Sequence, residues 1–287
     1  RGSTVLYNYS GGSTSMKNRS FVEWMYSTKS GRAFLKIMLY SGILKAAEKI
    51  ARSPFSRPYI KKFIKSNNID MSDFKGQTYY SFQDFFYRTR KDIVPDRTPE
   101  HLISPCDGYL SAYKIKSNSS FFIKGSWYKV KDLVTDEKQA KKFAGGDCVV
   151  LRLCANDYHH YCYIDDGFMG KNHFVKGTLH SVQPIACENY PVYRLNRRMW
   201  TMLETNNFGK VAQIEIGAVL VGGIVNNSEN VLMKRGQDMG RFELIGSTIV
   251  LLFEKGKIEL IPEILDNIKG DKEFRVVQGQ HIANKIG

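Results

Sequence analysis

The chain lacks most of the features that would take it out of an ordinary folded interior. Only five of its 287 residues are cysteine: Cys106, Cys148, Cys154, Cys162 and Cys187. The number is odd and no C-x-x-C occurs, so neither a disulfide framework nor a cysteine-built metal site is expected, and a reducing compartment is. No apolar run is long enough to cross a bilayer. The strongest early candidate, residues 34–44, is short and carries Lys36. No secretory signal, internal repeat or low-complexity tract is visible. Acidic residues are scarce at the start. Residues 1–66 hold thirteen Lys and Arg against Glu23 and Glu48, which places +11 of the net +14 in the first quarter. Such asymmetry points to an anionic partner surface, lipid or nucleic acid, with a solvated basic helix face as the plainer reading. No RNA-binding motif accompanies the charge, so a nucleic-acid partner is not expected.

What is present is a substantial apolar fraction, 43% of residues, with 17 Phe and 16 Tyr. That suits one large domain with a helical appendage. Arg1-Gly-Ser3 reads as a tag remnant, and residues 4–20 as a polar, peripheral stretch. Residues 21–52 read as helix, because Phe34, Leu35, Met38, Leu39, Ile43, Leu44, Ala47 and Ile50 recur at helical spacing. Pro54 and Pro58 interrupt it, and a short helix follows at 59–65. Ser81 opens a third as an N-cap. From about residue 103, β-branched and alternating runs dominate. Strands are expected at 109–115, 121–130, 148–154, 158–164, 173–182, 202–204, 211–224 and 247–253, with hairpin signals at 206–209 and 254–257. The fold class is therefore α+β: an N-terminal helical segment followed by a mainly antiparallel β core. The expected divisions are 1–20, a helical membrane-associating region at 21–100 and a β-rich core at 101–287.

The most informative stretch is Gly240–Phe253, centred on Gly246-Ser247-Thr248. A Gly-Ser pair at a strained turn can cut itself. The serine hydroxyl attacks the preceding carbonyl, the amide becomes an ester, and β-elimination followed by hydrolysis leaves a pyruvoyl group. Glycine at the preceding position tolerates the backbone such an attack needs. The product is a covalent carbonyl that can hold an amine and withdraw electrons from it. Gly-Ser-Thr alone more often marks an ordinary strand entry.

Its company adds weight: Ser104-Pro-Cys-Asp-Gly108, Asp157-Tyr-His-His-Tyr-Cys162 and Val211-Ala-Gln-Ile-Glu-Ile-Gly-Ala-Val-Leu-Val-Gly222 stand upstream in that order. Together with Asp84-Phe-Phe-Tyr-Arg88, Pro184-Ile-Ala186 and Asn196-Arg-Arg198, this set resembles the phosphatidylserine decarboxylase family, over about residue 21 to the C-terminus. The resemblance implies autocatalytic cleavage between Gly246 and Ser247 into chains 1–246 and 247–287 that stay associated. It implies a pyruvoyl cofactor derived from Ser247, with phosphatidylserine as substrate. It also implies a peripheral place on an anionic membrane, at the cytoplasmic face; a homo-oligomer is compatible with it.

The resemblance carries roles residue by residue. Asp107 matches the aspartate that, with a histidine and the cleavage-site serine, forms the family's maturation set; a turn aspartate is the bland reading. Tyr158 and His159 match the start of a Tyr-His-x-x-His element, and His159 falls on the position tied to decarboxylation. The second histidine is replaced by Cys162. Three readings stay open: a Cys162 thiolate as base, His160 as substitute, or a chain that matures slowly or not at all. In a strand, His159 and Tyr161 share one face, and His160 and Cys162 the other. Tyr158 and His160 are substrate-binding candidates. Gly217, Gly222 and Gly223 read as bends, and Arg197 stands where the family has Glu, as an anion binder or a surface residue. Two other functions compete: decarboxylation of a free or modified amino acid with the same chemistry, and a non-maturing β-rich binding module.

Overall fold

A computed structural model describes residues 21–90, 93–123, 126–218, 223–243, 246–269 and 272–286. The tag remnant and the polar stretch to residue 20 lie outside the described residues, as do Val219–Gly222 of the long apolar motif. The expected α+β order is observed, with helices mainly first and antiparallel strands after.

The expected single helix over 21–52 is three helices: α1 (Phe21–Ser27), α2 (Lys29–Tyr40) and α3 (Ile43–Ala51). Thr28 breaks the first joint. Its backbone is extended, and its hydroxyl accepts from the Gly31 N–H at 2.9 Å as an N-cap. The chain doubles back so tightly that a β-carbon on Gly31 would fall 2.0 Å from the Trp24 carbonyl oxygen. Gly42, with φ +81°, turns the second joint. The helix expected at 59–65 is α4 (Arg57–Ser66), and Ser81 caps α5 (Phe82–Phe86), its hydroxyl accepting from the Asp84 N–H.

The strands follow in order: β1 (His101–Ile103), β2 (Gly108–Lys114), β3 (Ser120–Ile123), β4 (Ser126–Lys129), β5 (Asp147–Leu153), β6 (His160–Cys162), β7 (Gly167–Val175) and β8 (Arg198–Thr205). They continue with β9 (Gly209–Gly217), β10 (Ile224–Asn226), β11 (Val231–Met233), β12 (Asp238–Phe242), β13 (Ser247–Phe253), β14 (Ile258–Leu260), β15 (Phe274–Val276) and β16 (His281–Lys285). The strand expected at 121–130 is the hairpin β3–β4. That at 158–164 shortens to β6, and that at 173–182 lies earlier, as β7. The Asn206–Gly209 turn joins paired strands β8 and β9. The turn at 254–257 does not: β13 pairs with β9 and β5, whereas β14 pairs with β16.

The main sheet runs β11-β7-β8-β9-β13-β5-β2-β15, with β13 near its centre. All seven β13 residues are buried, which is why its sequence reads as an unbroken apolar run after Thr248. Ile249, Leu251 and Phe253 enter one core with Leu110, Leu151, Tyr161, Met239 and Phe242. Val250 and Leu252 enter another with Val150, Ile214 and the helical residues Met25, Tyr26, Leu35 and Met38. The small sheet β10-β12-β6 thus covers one face of the main sheet, and α1 and α2 pack on the other.

Candidate functional site

The site is built at one end of the main sheet. The register aligns Val276 with Gly108, Leu153 with Ser247, and Ser247 with Gly217. A β-carbon on Gly108 would meet the Arg152 carbonyl oxygen at 2.7 Å, so β2 lies tightly on β5 there. Asp107-Gly108 is therefore two strands from Ser247, about 10 Å by strand spacing.

Gly246 has φ +82°, a left-handed conformation that side chains rarely adopt. The nearest atom to an added β-carbon would be the Ala218 Cβ at 3.7 Å, so the backbone, not crowding, requires glycine. Ser247 is fully buried and its hydroxyl has no hydrogen-bond partner. Leaving a buried hydroxyl unpaired costs about 1–3 kcal/mol, and such groups in native folds call for an explanation. Asn196 fixes the strand opposite. Its amide donates to the Gly217 and His180 carbonyls, each at 2.7 Å, and its oxygen accepts from the His180 N–H at 2.9 Å.

Asp107 is held from two sides. Arg90 donates to both carboxylate oxygens, at 3.0 and 2.7 Å, and the Gln278 N–H donates at 2.9 Å. Burial works to raise its pKa, but the hydrogen bonds and charge of Arg90, the Gln278 N–H and the Arg275 charge prevail and lower it. Cys162 rests on the same loop: its N–H donates to the Pro105 carbonyl at 2.8 Å and its thiol lies 3.9 Å from the Ser104 carbonyl oxygen. Burial pushes that thiol up to about 12, so it is protonated at neutral pH. Arg90 also draws Tyr158 in, with its guanidinium 4.7 Å over the ring and its N–H donating to the Tyr158 hydroxyl at 3.3 Å.

His159 lies just ahead of β6, fully buried, its ring 4.9 Å from that of Phe86. Nδ1 sits 2.9 Å from the Asp157 carbonyl, so it carries the proton, and Nε2 is left without a partner. Burial, with the nearby Arg88 charge, lowers its pKa to about 3. His160 stacks on Tyr158 at 5.0 Å, with Nδ1 3.1 Å from Asp238 Oδ1. Within β6, Tyr161 points into the core beside Ile249 and Leu251, and His160 and Cys162 alternate to the other face.

The sequence motifs contain Arg88 and Arg198 without giving them a role, and Arg275 was missed. Arg88 is buried between Phe74 and Phe85, donates to the Phe85 and Asp157 carbonyls, and is lowered to about 10 by burial. Arg275 pairs with the buried Asp157 at 2.6 Å. Arg198 is buried and donates to the Leu133, Arg194, Asn196 and Asp132 carbonyls, a structural role. Arg197 lies 5.9 Å over the Phe174 ring. In another sheet, Asp96, His101 and His281 bring possible ligand atoms within 4.8 Å of one another. The two imidazoles there stack at 3.6 Å and 6°, so their in-plane lone pairs do not converge on one point.

The architecture is an α+β scaffold whose reactive-group candidates gather at one end of a central sheet. A family model for phosphatidylserine decarboxylase matches residues 82–284. Phosphatidylserine decarboxylase proenzyme 2 of Clostridium acetobutylicum is 40% identical over 269 residues, covering 91% of each chain. The proenzyme of Clostridium beijerinckii is 36% identical over 276 residues, 93% of each, and that of Fusobacterium nucleatum 36% over 239 residues, 81% of this chain and 80% of its own. The chain belongs to the phosphatidylserine decarboxylase family.

Proposed function

We propose that this chain is a precursor that cuts itself between Gly246 and Ser247 and then decarboxylates phosphatidylserine to phosphatidylethanolamine at a membrane surface. The observation that carries the reading is the left-handed Gly246 before a fully buried Ser247 whose hydroxyl has no partner. Both features fit conversion of Ser247 to a pyruvoyl group. That group supplies a carbonyl that bonds the substrate amine and takes up electrons as CO2 leaves.

The chain's own residues do the rest. Ser247 Oγ is the nucleophile, and the Gly246 carbonyl receives it. Asp107, kept ionised by Arg90 and Gln278, is a fixed negative charge at the sheet end. His159, neutral with Nε2 free, accepts and returns a proton beside the substrate. Tyr158 and His160, stacked together, form one wall of the binding region.

The membrane side is supported by the helices. Phe55 is 90% and Tyr40 71% exposed, with Ile37, Ile43 and Ile50 also exposed, beside Lys36, Lys45 and Lys49. No helix among the described residues is long and apolar enough to cross a membrane. An interfacial seat on anionic lipid fits this mixture. Free thiols at all five cysteines suit the cytoplasmic face.

Intact mass after incubation, with phosphatidylserine vesicles as substrate, tests the reading. The expected result is a 247–287 fragment with a blocked N-terminus and release of CO2. Ser247→Ala should remain one inactive chain. An active, uncut Ser247→Ala protein would sink the mechanism, and turnover of free serine but not of vesicles would move the substrate to a soluble amino acid.

A further inference from the structure

Among the described residues, one buried carboxyl has neither a cation partner nor an assigned task. Glu215 lies on β9 between Ile214 and Ile216 and is fully buried; Oε2 makes no hydrogen bond of ordinary geometry, although the Asn226 side chain lies close enough to work against the burial. Its other oxygen accepts from Gln213 Nε2 at 2.8 Å. The register pairs Glu215 with Ile249, and Gly217 with Ser247. Residues two apart share a face. Glu215 is thus the diagonal neighbour of Ser247 on the same face of the sheet, about 7–8 Å away at the backbone. A glutamate arm is long enough to cover that interval once the carboxyl turns from Gln213, which the register places opposite Leu251, and Gly217, directly opposite Ser247, has no side chain to stand between them. Two fully buried polar groups without a hydrogen bond of ordinary geometry, Ser247 Oγ and Glu215 Oε2, therefore face one space between the main sheet and the β10-β12-β6 sheet.

The maturation-base candidates read from sequence occupy other ground. Tyr161 points into that space, and strand alternation turns His160 and Cys162 away from it.

We propose that the Glu215 carboxylate takes the Ser247 hydroxyl proton during self-cleavage. This rests on the self-cleavage reading above. As the Oγ–H proton passes to Glu215, Oγ bonds to the Gly246 carbonyl carbon. The bond from that carbon to the Ser247 nitrogen then breaks, and Glu215 returns the proton to the departing nitrogen. The result is an ester at Ser247 and a free amine, with no net proton gained or lost. Burial pushes the Glu215 carboxyl up to about 8, so ionised and protonated forms are both accessible near neutral pH, as a group that accepts and returns a proton requires. The groups facing Glu215 are Gln213 from its own strand, Asn226 from β10, Met239 from β12 and Met199 from β8, with Tyr161 from β6 as the titratable one among the described residues.

The test follows cleavage of the freshly translated full chain by gel and intact mass between pH 6 and 9. The wild-type rate should rise with pH and level off near pH 8. Glu215→Gln should cut about 100-fold slower or worse, with that rise abolished. Glu215→Asp, which keeps a carboxylate on a shorter arm, should cut slowly but retain the rise. It decides the matter if Glu215→Gln fails to fold, as judged by thermal unfolding in a Ser247→Ala background. Wild-type rate and pH profile in Glu215→Gln overturn the proposal and leave the self-cleavage reading intact. Loss of cleavage in Cys162→Ala with normal cleavage in Glu215→Gln overturns it in favour of the thiol. A wild-type chain that is never cut removes both readings.

Discussion

Replacing Asp107 by asparagine, in a Ser247→Ala background that keeps one uncut chain, isolates what the Arg90 pair contributes to folding. The carboxylate is 3% exposed and receives two hydrogen bonds from a guanidinium that is 22% exposed, plus one from the Gln278 N–H. Asparagine keeps one acceptor oxygen but turns an N–H toward an Arg90 N–H, and removes the charge. Breaking a buried pair costs about 3–5 kcal/mol, and partial exposure of Arg90 reduces this to about 2–4 kcal/mol. For a chain of this size that is a fall in Tm of about 3–7 °C. The pH dependence is a second reading. The folded-state pKa of Asp107 is lowered beneath its unfolded value of about 3.9. Its stabilisation is therefore complete above about pH 4 and is lost as pH falls through the folded value. Thermal and urea unfolding should show a constant gap between parent and variant from pH 6 to 8 that narrows on acidification. A deficit below about 0.5 kcal/mol at pH 7, or a gap unchanged by acid, would refute the reasoning.

Three further outcomes are expected. His159 is lowered to about 3 in the fold, so stability is fully present above its unfolded pKa of about 6.5 and falls by up to about 1.4 kcal/mol per pH unit below it; His159→Gln should flatten that limb in urea titrations. Glu215 is raised to about 8, so its contribution is greatest below its unfolded pKa of about 4.3 and declines as pH rises; in the uncut background, Glu215→Gln should gain on its parent from pH 5 to 8, by up to about 1.4 kcal/mol per unit. Reversing Lys61, Lys62 and Lys65 should weaken sedimentation with anionic vesicles by about 1 kcal/mol per side chain at low salt, and binding should fall as ionic strength rises; equal, salt-insensitive binding to neutral vesicles would give the charge asymmetry another purpose.

Sequence pattern revealed the elements that state their own environment. β13 is legible because both its faces are buried, so Ile249 to Phe253 read as one apolar run behind Gly246-Ser247-Thr248. Asp107 stood out through the resemblance of Ser104–Gly108 to the family's element, and Ser81 through its cap. The helix break at Thr28 was missed because the helical spacing is carried by residues from Phe34 on, and 27–33 hold no large apolar residue to mark a change of face; the turn itself depends on Gly31 passing Trp24. Arg90 and Gln278 were illegible for a different reason. They reach Asp107 across 17 and 171 positions, and nothing local marks either residue. Glu215 was visible as a charge among Val, Ile and Ala, but its meaning needed the register that sets it beside Ser247.

The position of β13 orders events in the life of the chain. Ser247 is enclosed only when β13 has found β5, about a hundred residues upstream, and β9 on its other side. Contacts of such separation form late in folding. On the proposed scission at Gly246-Ser247, a nascent or misfolded chain would have the Gly-Ser bond but not the enclosure, so cutting would report completed folding and activity would follow only in molecules that had reached it. The small chain that such a cut would release would already lie between β5 and β9 of its own large chain, so the association of the two would not depend on concentration.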